Sequence, residues 1–292
     1  MEERKEFLEN TWFHNQRLAM GTNMSSIRKL CPFCMTEQVL IKQFTKSPKG
    51  ETNFGFKPYS RSLWQCIGCH HITNKHHFDL SASFYKNHYQ KSTCPEKLRS
   101  RFLELMSLPE GQSDNRQRVK FINDFWNSNH ADKKRSCLDI GSGLGVFPAI
   151  LKESNWDCVA LEPNLEACQL IQEMIGIKVL SESFMECDKI GDFNLISFNK
   201  VLEHTRNPKA MLLQSKLHLK SEGVVYIELP DGETALLKSG PDREEFFVEH
   251  FDAYSRKSLE LLIQSVKFEV LTLDQIHEPS GKFTLRALAK PQ

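Results

Sequence analysis

No stretch of the 292 residues approaches the roughly 18 unbroken apolar positions that a membrane-spanning helix needs, so a bilayer span is excluded. The first ten residues carry four glutamates and no apolar run, which excludes a secretory signal with a hydrophobic centre and predicts a cytoplasmic protein. Internal repeats and low-complexity segments are also missing. There is almost no net charge, +1, but the balance is uneven: residues 1–135 hold 22 Lys+Arg against 13 Asp+Glu (+9), and residues 136–292 hold 16 against 24 (−8). Such a split fits two domains, the basic half meeting an anionic ligand or its acidic neighbour. What is present is ordinarily globular: 40% hydrophobic and 26% charged residues, in a chain long enough for one or two cores. Nine cysteines without an export signal argue against a disulfide framework and for metal or redox use.

Residues 1–30 read as a polar, weakly helical arm. From Cys31 to about Asp79 the chain is rich in Lys, Gly, Pro, Ser and His, with extended pieces at 38–44 and 61–65, the texture of a small β-rich module. Helical patterning follows from 83 to 129, with Phe102, Leu103 and Leu105 in one run and Val119, Phe121, Ile122 and Phe125 in the next. From Ser136 onward apolar strands (137–140, 158–161, 178–180, 194–198, 224–229) alternate with amphipathic helices, which predicts an α/β, doubly wound parallel sheet. Asn164 is placed to cap a helix ending at Gly176, and Asn207-Pro208 to open one ending near Lys220. The tail reads helix (255–266), strand (268–273), strand (282–289). The expected domains are 27–82, a helical connector 83–130, and 131–292.

The most informative motif is Leu138-Asp139-Ile140-Gly141-Ser142-Gly143-Leu144-Gly145, closing a strand and opening a helix. Glycines there permit a tight turn and close approach of a ligand to the backbone. A dinucleotide fingerprint would be GxGxxG, yet the third glycine comes one residue early and Val146 takes its place. Asp139 beside the loop would repel a pyrophosphate but suits the cationic methionine part of S-adenosylmethionine (SAM). The next strand ends at Glu162, 21 residues after Gly141, where a carboxylate can accept hydrogen bonds from both ribose hydroxyls.

On these residues the chain resembles the class I SAM-dependent methyltransferases over about 116–292. The match takes in Asp139, Gly141, Gly143, Gly145 and Glu162-Pro163, with Ser142 inside the loop. It extends to Asp192-Phe193-Asn194-Leu195-Ile196 running into Asn199-Lys200-Val201-Leu202-Glu203-His204. The resemblance implies a Rossmann-like, seven-stranded methyltransferase sheet in the order 3-2-1-4-5-7-6 with the last strand antiparallel. It also implies an adenine cover at Glu182, Ser183 and Phe184, and Asn199 near the amino-acid part of the cofactor. Glu249-His250-Phe251, followed by Tyr254-Ser255, is similar to a subgroup often found acting on sugars and small metabolites.

Cys31-Pro32-Phe33-Cys34 and Cys66-Ile67-Gly68-Cys69 are two CxxC knuckles, and two such pairs complete a closed, structural four-thiolate zinc site. Metal binding would supply folding free energy that so short a polar segment cannot draw from its own core. Two other readings stand beside zinc. Cys66 to His70 is also a CxxCH haem-attachment pattern, but that belongs to exported proteins and leaves the first pair unexplained. A redox pair would sit within a βαβ pattern that is missing here. His70, His71, His76 and His77 are expected at the surface. The stretch from Arg61 through both cysteines to Phe84-Tyr85 and Tyr89 resembles the zinc-ribbon-like modules that precede methyltransferase domains in sugar-modifying enzymes.

A hydroxyl or carbon acceptor needs a base. His204, just past the fourth strand at the sheet's C-terminal edge, is the first candidate catalytic residue, then His250 and Tyr254. Some related O- and RNA methyltransferases place a metal on an E..EH cluster here, but Lys200 stands where the first glutamate would be, so no catalytic metal is expected. The reading is transfer of a methyl group from SAM to a small-molecule acceptor, a sugar or other hydroxylated metabolite, anionic in the case of a nucleotide sugar. The alternatives are an RNA-directed methyltransferase or zinc-ribbon nucleic-acid-binding protein using the basic half, and a non-catalytic SAM-binding regulator.

Overall fold

The structure is a computed structural model that describes residues 29–78, 80, 95–130, 134–187 and 190–292. Nearly all of the expected N-terminal arm, the first part of the connector, and Phe84, Tyr85 and Tyr89 lie outside the described residues. Three strands come first: β1 (Gln38–Phe44), β2 (Arg61–Cys66) and β3 (Ile72–His76), paired antiparallel in that order. The connector supplies α1 (Pro95–Ser107) and α2 (Asp114–His130).

The central sheet follows. Strands β4 (Ser136–Ile140), β5 (Asp157–Leu161), β6 (Lys178–Leu180), β7 (Phe193–Asn199) and β8 (Leu219–Pro230) pair in parallel. Between them run α3 (Val146–Glu153), α4 (Leu165–Ile175) and α5 (Pro208–Ser215). After β8 come α6 (Gly232–Ser239), the two-residue strand β9 (Asp252–Ala253), α7 (Arg256–Ser265), β10 (Phe268–His277) and β11 (Phe283–Pro291). The seven-stranded sheet has the spatial order β6-β5-β4-β7-β8-β11-β10. Numbered along the chain from β4 and omitting β9, that is 3-2-1-4-5-7-6, and β11 is antiparallel to both neighbours.

Local signals account for the elements. The sequence of β7, FNLISFN, is buried at six of seven positions, as a strand covered on both faces must be. Helix α4 starts where the Asn164 side chain accepts from Ala167 N at 2.8 Å, and it stops at Gly176, whose φ of +64° is left-handed. Asn207 caps α5 in the same way, with Pro208 in its first turn. Helix α5 ends at Ser215, earlier than the pattern to Lys220 suggested, because β8 already begins at Leu219, paired with Phe193. Helix α7 opens with a capping box between Ser255 and Ser258.

Two apolar clusters cover the two faces of the sheet. One joins Met211 and Leu212 of α5 with Leu259, Leu262 and Ile263 of α7 against β7 and β8. The other joins Phe102, Val119, Ile122 and Trp126 of the connector with α3 and α4. Each side chain fully buried there contributes about 1.5–3 kcal/mol from water exclusion.

The small sheet does not stop at β3. Its fourth strand is β9, which lies between His250 and Tyr254 and pairs antiparallel with β3 through Ile72↔Ala253 and Thr73↔Asp252. His71, expected at the surface, is fully buried between the two parts: Nε2 meets Asp252 Oδ1 at 2.9 Å and Nδ1 meets Ser258 Oγ at 3.3 Å.

Candidate active site

The glycine loop leaves the C-terminal end of β4. Gly145 has a left-handed φ of +79°, and a Cβ there would meet Ile171 and Ile175 at 2.7 and 2.8 Å, so this glycine lets α3 pack on α4. Gly143, at φ +54°, has nothing within 4 Å of an added Cβ. Open space over a backbone amide is what a ligand lying on the loop requires. Glu162 follows β5 directly. Its Oε2 accepts from Gly143 N and its Oε1 from Asn164 N, both at 2.8 Å. A carboxylate has about four acceptor positions, so two remain for a vicinal diol. Burial raises the Glu162 pKa, and those two amides lower it in part.

Asp139 is 2% exposed and lies beneath the loop, where its Oδ1 takes the hydroxyl of Ser197. Burial pushes its pKa up to about 6, opposed by hydrogen bonds from Ser197 and Ser142. Its charge therefore acts from behind the backbone. Asn199, at the tip of β7, has a buried Oδ1 without a partner among the described residues, an acceptor suited to a bound ligand's donor. Pro163, Glu182 and Ser183 lie exposed near the ends of β5 and β6, whereas Phe184 turns into the core, edge-on to Phe198. These donors and acceptors fit SAM: open backbone for its approach, paired acceptor positions for its ribose, buried negative charge for its cationic end.

Directly after β7 comes Lys200, in the left-handed region at φ +58°. Its Nζ reaches Thr284 Oγ1 at 2.6 Å, Glu278 at 3.1 Å and Glu228 at 3.6 Å, and its charge also acts on Glu203 and His250. A short helical turn, 202–204, then carries Glu203 and His204. His250 arrives from the segment after β8, and the two imidazole centroids lie 4.7 Å apart. His204 Nδ1 faces Glu249 O at 3.1 Å and His250 Nδ1 faces Glu245 O at 3.0 Å. A carbonyl only accepts, so both Nδ1 atoms carry the proton and each Nε2 keeps its lone pair. Burial lowers both histidine pKa values and raises that of Glu203 to about 7. Tyr254 packs toward the small sheet. It is fully buried, with its ring 5.1 Å from His71 and 5.7 Å from Phe33, and its hydroxyl is without a partner among the described residues.

The four cysteines of the two knuckles converge, with all four Sγ atoms within 4.8 Å of one another. Cys31 and Cys69 are 3.5 Å apart and Cys34 and Cys66 3.3 Å, close to the about 3.8 Å edge of a tetrahedron with Zn–S bonds of about 2.3 Å. The amides of Gly68 and Cys69 point at Cys66 Sγ, and that of Phe33 at Cys31 Sγ, as donors to thiolates. The donor set suits a closed zinc site and leaves no position for a substrate.

Three residues that sequence patterning did not single out for the site tie this small sheet to the His250 segment. Asn74 Nδ2 donates to His250 O at 2.9 Å and Phe247 O at 3.2 Å, and Asn74 N donates to Phe251 O at 2.8 Å. Arg61 is fully buried against Glu51 at 2.7 Å and reaches Asn74 Oδ1, while Glu51 Oε1 accepts from Val248 N at 2.8 Å. No local signal marks Glu51 or Asn74, because their partners are about 170–200 residues away.

A doubly wound sheet in this order, with a glycine loop after its first strand and an acid after its second, defines a SAM-dependent methyltransferase. A family model described as "Methyltransferase domain" matches residues 111–273, more than half of the chain, and the chain belongs to that family. No curated protein matches the sequence. Among solved structures, the fold is similar to magnesium protoporphyrin IX methyltransferase of Synechocystis with bound S-adenosylhomocysteine (TM-score 0.55, 11% identity, 73% of this chain and 100% of that one). It is also similar to the 1,6-didemethyltoxoflavin N1-methyltransferase of Burkholderia thailandensis (0.52, 16%, 77% and 98%) and to a SAM-dependent methyltransferase of Clostridium acetobutylicum (0.52, 14%, 68% and 99%). At these identities the likeness concerns the fold. Among the described residues no helix is long and apolar enough to cross a membrane.

Proposed function

We propose that the chain transfers the methyl group of SAM to a hydroxyl of a small polar acceptor, a sugar or related metabolite, with a structural zinc ion on Cys31, Cys34, Cys66 and Cys69. The observation that carries the acceptor class is the meeting of His204 and His250 at the C-terminal edge of β7, both Nε2 lone pairs kept by Nδ1–H bonds to backbone carbonyls. Transfer to an amine that is already neutral needs no such group, whereas a hydroxyl must lose its proton.

SAM supplies an activated methyl on a sulfonium. The residues of this chain do the rest. Glu162 and the loop amides orient the nucleoside, Asp139 offsets the positive charge, and Asn199 holds a donor of the amino-acid part. The imidazole edge relieves the acceptor hydroxyl of its proton as oxygen bonds to the methyl carbon, and the C–S electron pair stays on sulfur as a neutral thioether. Positioning supplies much of the rate, since two reactants held in line have already lost their orientational freedom. We read residues 27–82 as the zinc module, 83–130 as the connector and 131–292 as the transferase domain. The likeness of the fold to methyltransferases named for small-molecule substrates supports a small acceptor.

The test is calorimetric titration of the folded, zinc-quantified protein with SAM, beside Glu162→Ala. A screen of saccharides and nucleotide sugars for conversion of SAM to S-adenosylhomocysteine follows. Binding lost in the variant, with turnover on a hydroxylated acceptor, supports the reading. Binding that ignores Glu162 overturns the site, and turnover confined to RNA overturns the acceptor class.

A further inference from the structure

We infer that Arg206 is a specificity-determining residue of the acceptor site: laid over the Phe251 ring next to the two histidines, its guanidinium receives an oxyanion, a phosphate or carboxylate carried by the acceptor itself. This rests on the reading above and deepens it, since it adds a charged group to the acceptor whose hydroxyl meets the imidazole edge.

The cations at this edge single Arg206 out. Arg61 is paired with Glu51 at 2.7 Å, Lys200 with Glu278 at 3.1 Å and Lys282 with Glu244 at 3.6 Å, so each of those charges is already met by a carboxylate. Arg206 is exposed and has neither an ion pair nor a hydrogen bond among the described residues. What it has is a ring: its guanidinium carbon lies 4.5 Å from the centre of Phe251. Stacking holds the guanidinium by its face and leaves the N–H donors on its rim unspent. That rim matches the oxygens of a phosphate or carboxylate two at a time.

The platform beneath it is fixed from both sides. Phe251 N donates to Glu203 O at 2.8 Å in the transferase part, and Phe251 O accepts from Asn74 N at 2.8 Å in the small sheet. The His76 ring stands edge-on to that of Phe251, with centroids 5.6 Å apart. Burial, with the charges of Arg61 and Arg206 behind it, lowers the His76 pKa to about 4. That imidazole is therefore neutral at pH 7, and the positive charge on the platform is that of Arg206.

Position makes the anion and the reacting hydroxyl parts of one molecule. Phe251 directly follows His250, and Arg206 comes two residues after His204. Two links of chain span at most about 7 Å, a distance that one sugar ring with its substituent bridges. An uncharged acceptor leaves the guanidinium rim to water, whereas an anionic one replaces that water with a pair of charge-assisted bonds, so Arg206 sorts acceptors by charge.

The experiment titrates glucose 1-phosphate, glucuronate and glucose into full-length, zinc-quantified protein with excess S-adenosylhomocysteine, and reads Kd by calorimetry at low salt. The first two sugars carry the two oxyanions on one ring and the third carries neither. A charged sugar should bind at least tenfold more tightly than glucose, and which of the two does so assigns the group as phosphate or carboxylate. Arg206→Gln, checked for folding by circular dichroism, should bring all three within about threefold of one another, and Arg206→Lys, which keeps the charge without the planar fork, should retain part of the preference. Raising salt from about 50 to about 500 mM should shrink the preference of the wild type and leave Arg206→Gln unchanged. Equal binding of the three sugars to the wild type, including binding by none of them at millimolar concentration, overturns the inference, as does a preference that Arg206→Gln retains. SAM titration of the same samples is independent: SAM binding without a preference for charged sugars refutes only the role of Arg206, and that preference without SAM binding refutes only the transferase reading.

Discussion

Asp139→Asn should make the protein more stable and a poorer binder of SAM. The carboxyl is 2% exposed, and burial lifts its pKa from 3.8 to about 6. The folded state therefore holds a proton between about pH 4 and 6 that the unfolded chain has released. Stability from that proton is fully present below pH 3.8 and lost as pH rises through 6. At pH 7 the ionised group costs the folded state on the order of 3 kcal/mol relative to its neutral form. Asparagine removes the charge and keeps an oxygen for the Ser197 hydroxyl, so part of that cost is recovered. At about 2–4 °C per kcal/mol, Tm at pH 7 should rise by several degrees. Differential scanning calorimetry from pH 4 to 8 should show the gap between variant and wild type widening up to about pH 6 and constant above it. SAM affinity should fall about tenfold, as loss of a nearby buried charge predicts. A variant less stable at pH 7, or a gap independent of pH, would refute the view that Asp139 trades stability for a field beneath the loop.

The two loop glycines should separate folding from binding. Gly145→Ala forces a Cβ onto Ile171 and Ile175 at left-handed φ and should cost about 2–4 kcal/mol in chemical denaturation. Gly143→Ala meets no atom within 4 Å, so it should cost about 1 kcal/mol while weakening SAM binding at least tenfold by calorimetry. Asn74→Ala leaves the His250 and Phe247 carbonyls unpaired and should cost about 1–3 kcal/mol. In steady-state assays it should lower kcat with an unchanged SAM Kd, since the Asn74 contacts bear on the acceptor edge alone. Zinc removal by chelation, or Cys66→Ser, should abolish methyl transfer with a smaller loss of SAM affinity, and equal loss of both would argue against a division of labour between the two sheets.

The transferase sheet was legible because its signals are local. Runs such as Leu195 to Phe198 are buried on both faces, Asn164 and Gly176 bracket α4 by their own hydrogen bonding and φ, and the Gly141 to Gly145 spacing follows from one turn. What was not legible depends on partners far along the chain. His71 sits among polar residues and looks like a surface histidine, yet Asp252 and Ser258, 181 and 187 residues away, bury it. Strand β3, ITNKH, has little strand character of its own and is a strand because β2 and β9 flank it. The meeting of His204 with His250 could be suspected from two separate motifs, but the placement of the Lys200 ammonium requires Thr284 and Glu278, more than 70 residues further along the chain.

The borrowed strand has an energetic consequence. About fifty residues cannot bury enough surface to stand alone, and here the deficit is met by the convergence of four cysteines, the buried Arg61–Glu51 pair, and β9 taken from the transferase part of the chain. The dependence runs in both directions. The segment 244–251 has little repetitive hydrogen bonding of its own, and its carbonyls and amides are satisfied largely by Asn74, Glu51 and short internal turns. Ser255, which caps α7 just beyond, also donates to the carbonyl of Cys69. On the proposed reading, loss of zinc should therefore remove partners from the backbone that presents His250 before the glycine loop, which rests on β4, β5 and α4, is disturbed. If the proposed assignment of roles is right, cofactor binding and acceptor activation rest on separately stabilised parts of one fold, and zinc loading should control turnover more steeply than SAM affinity.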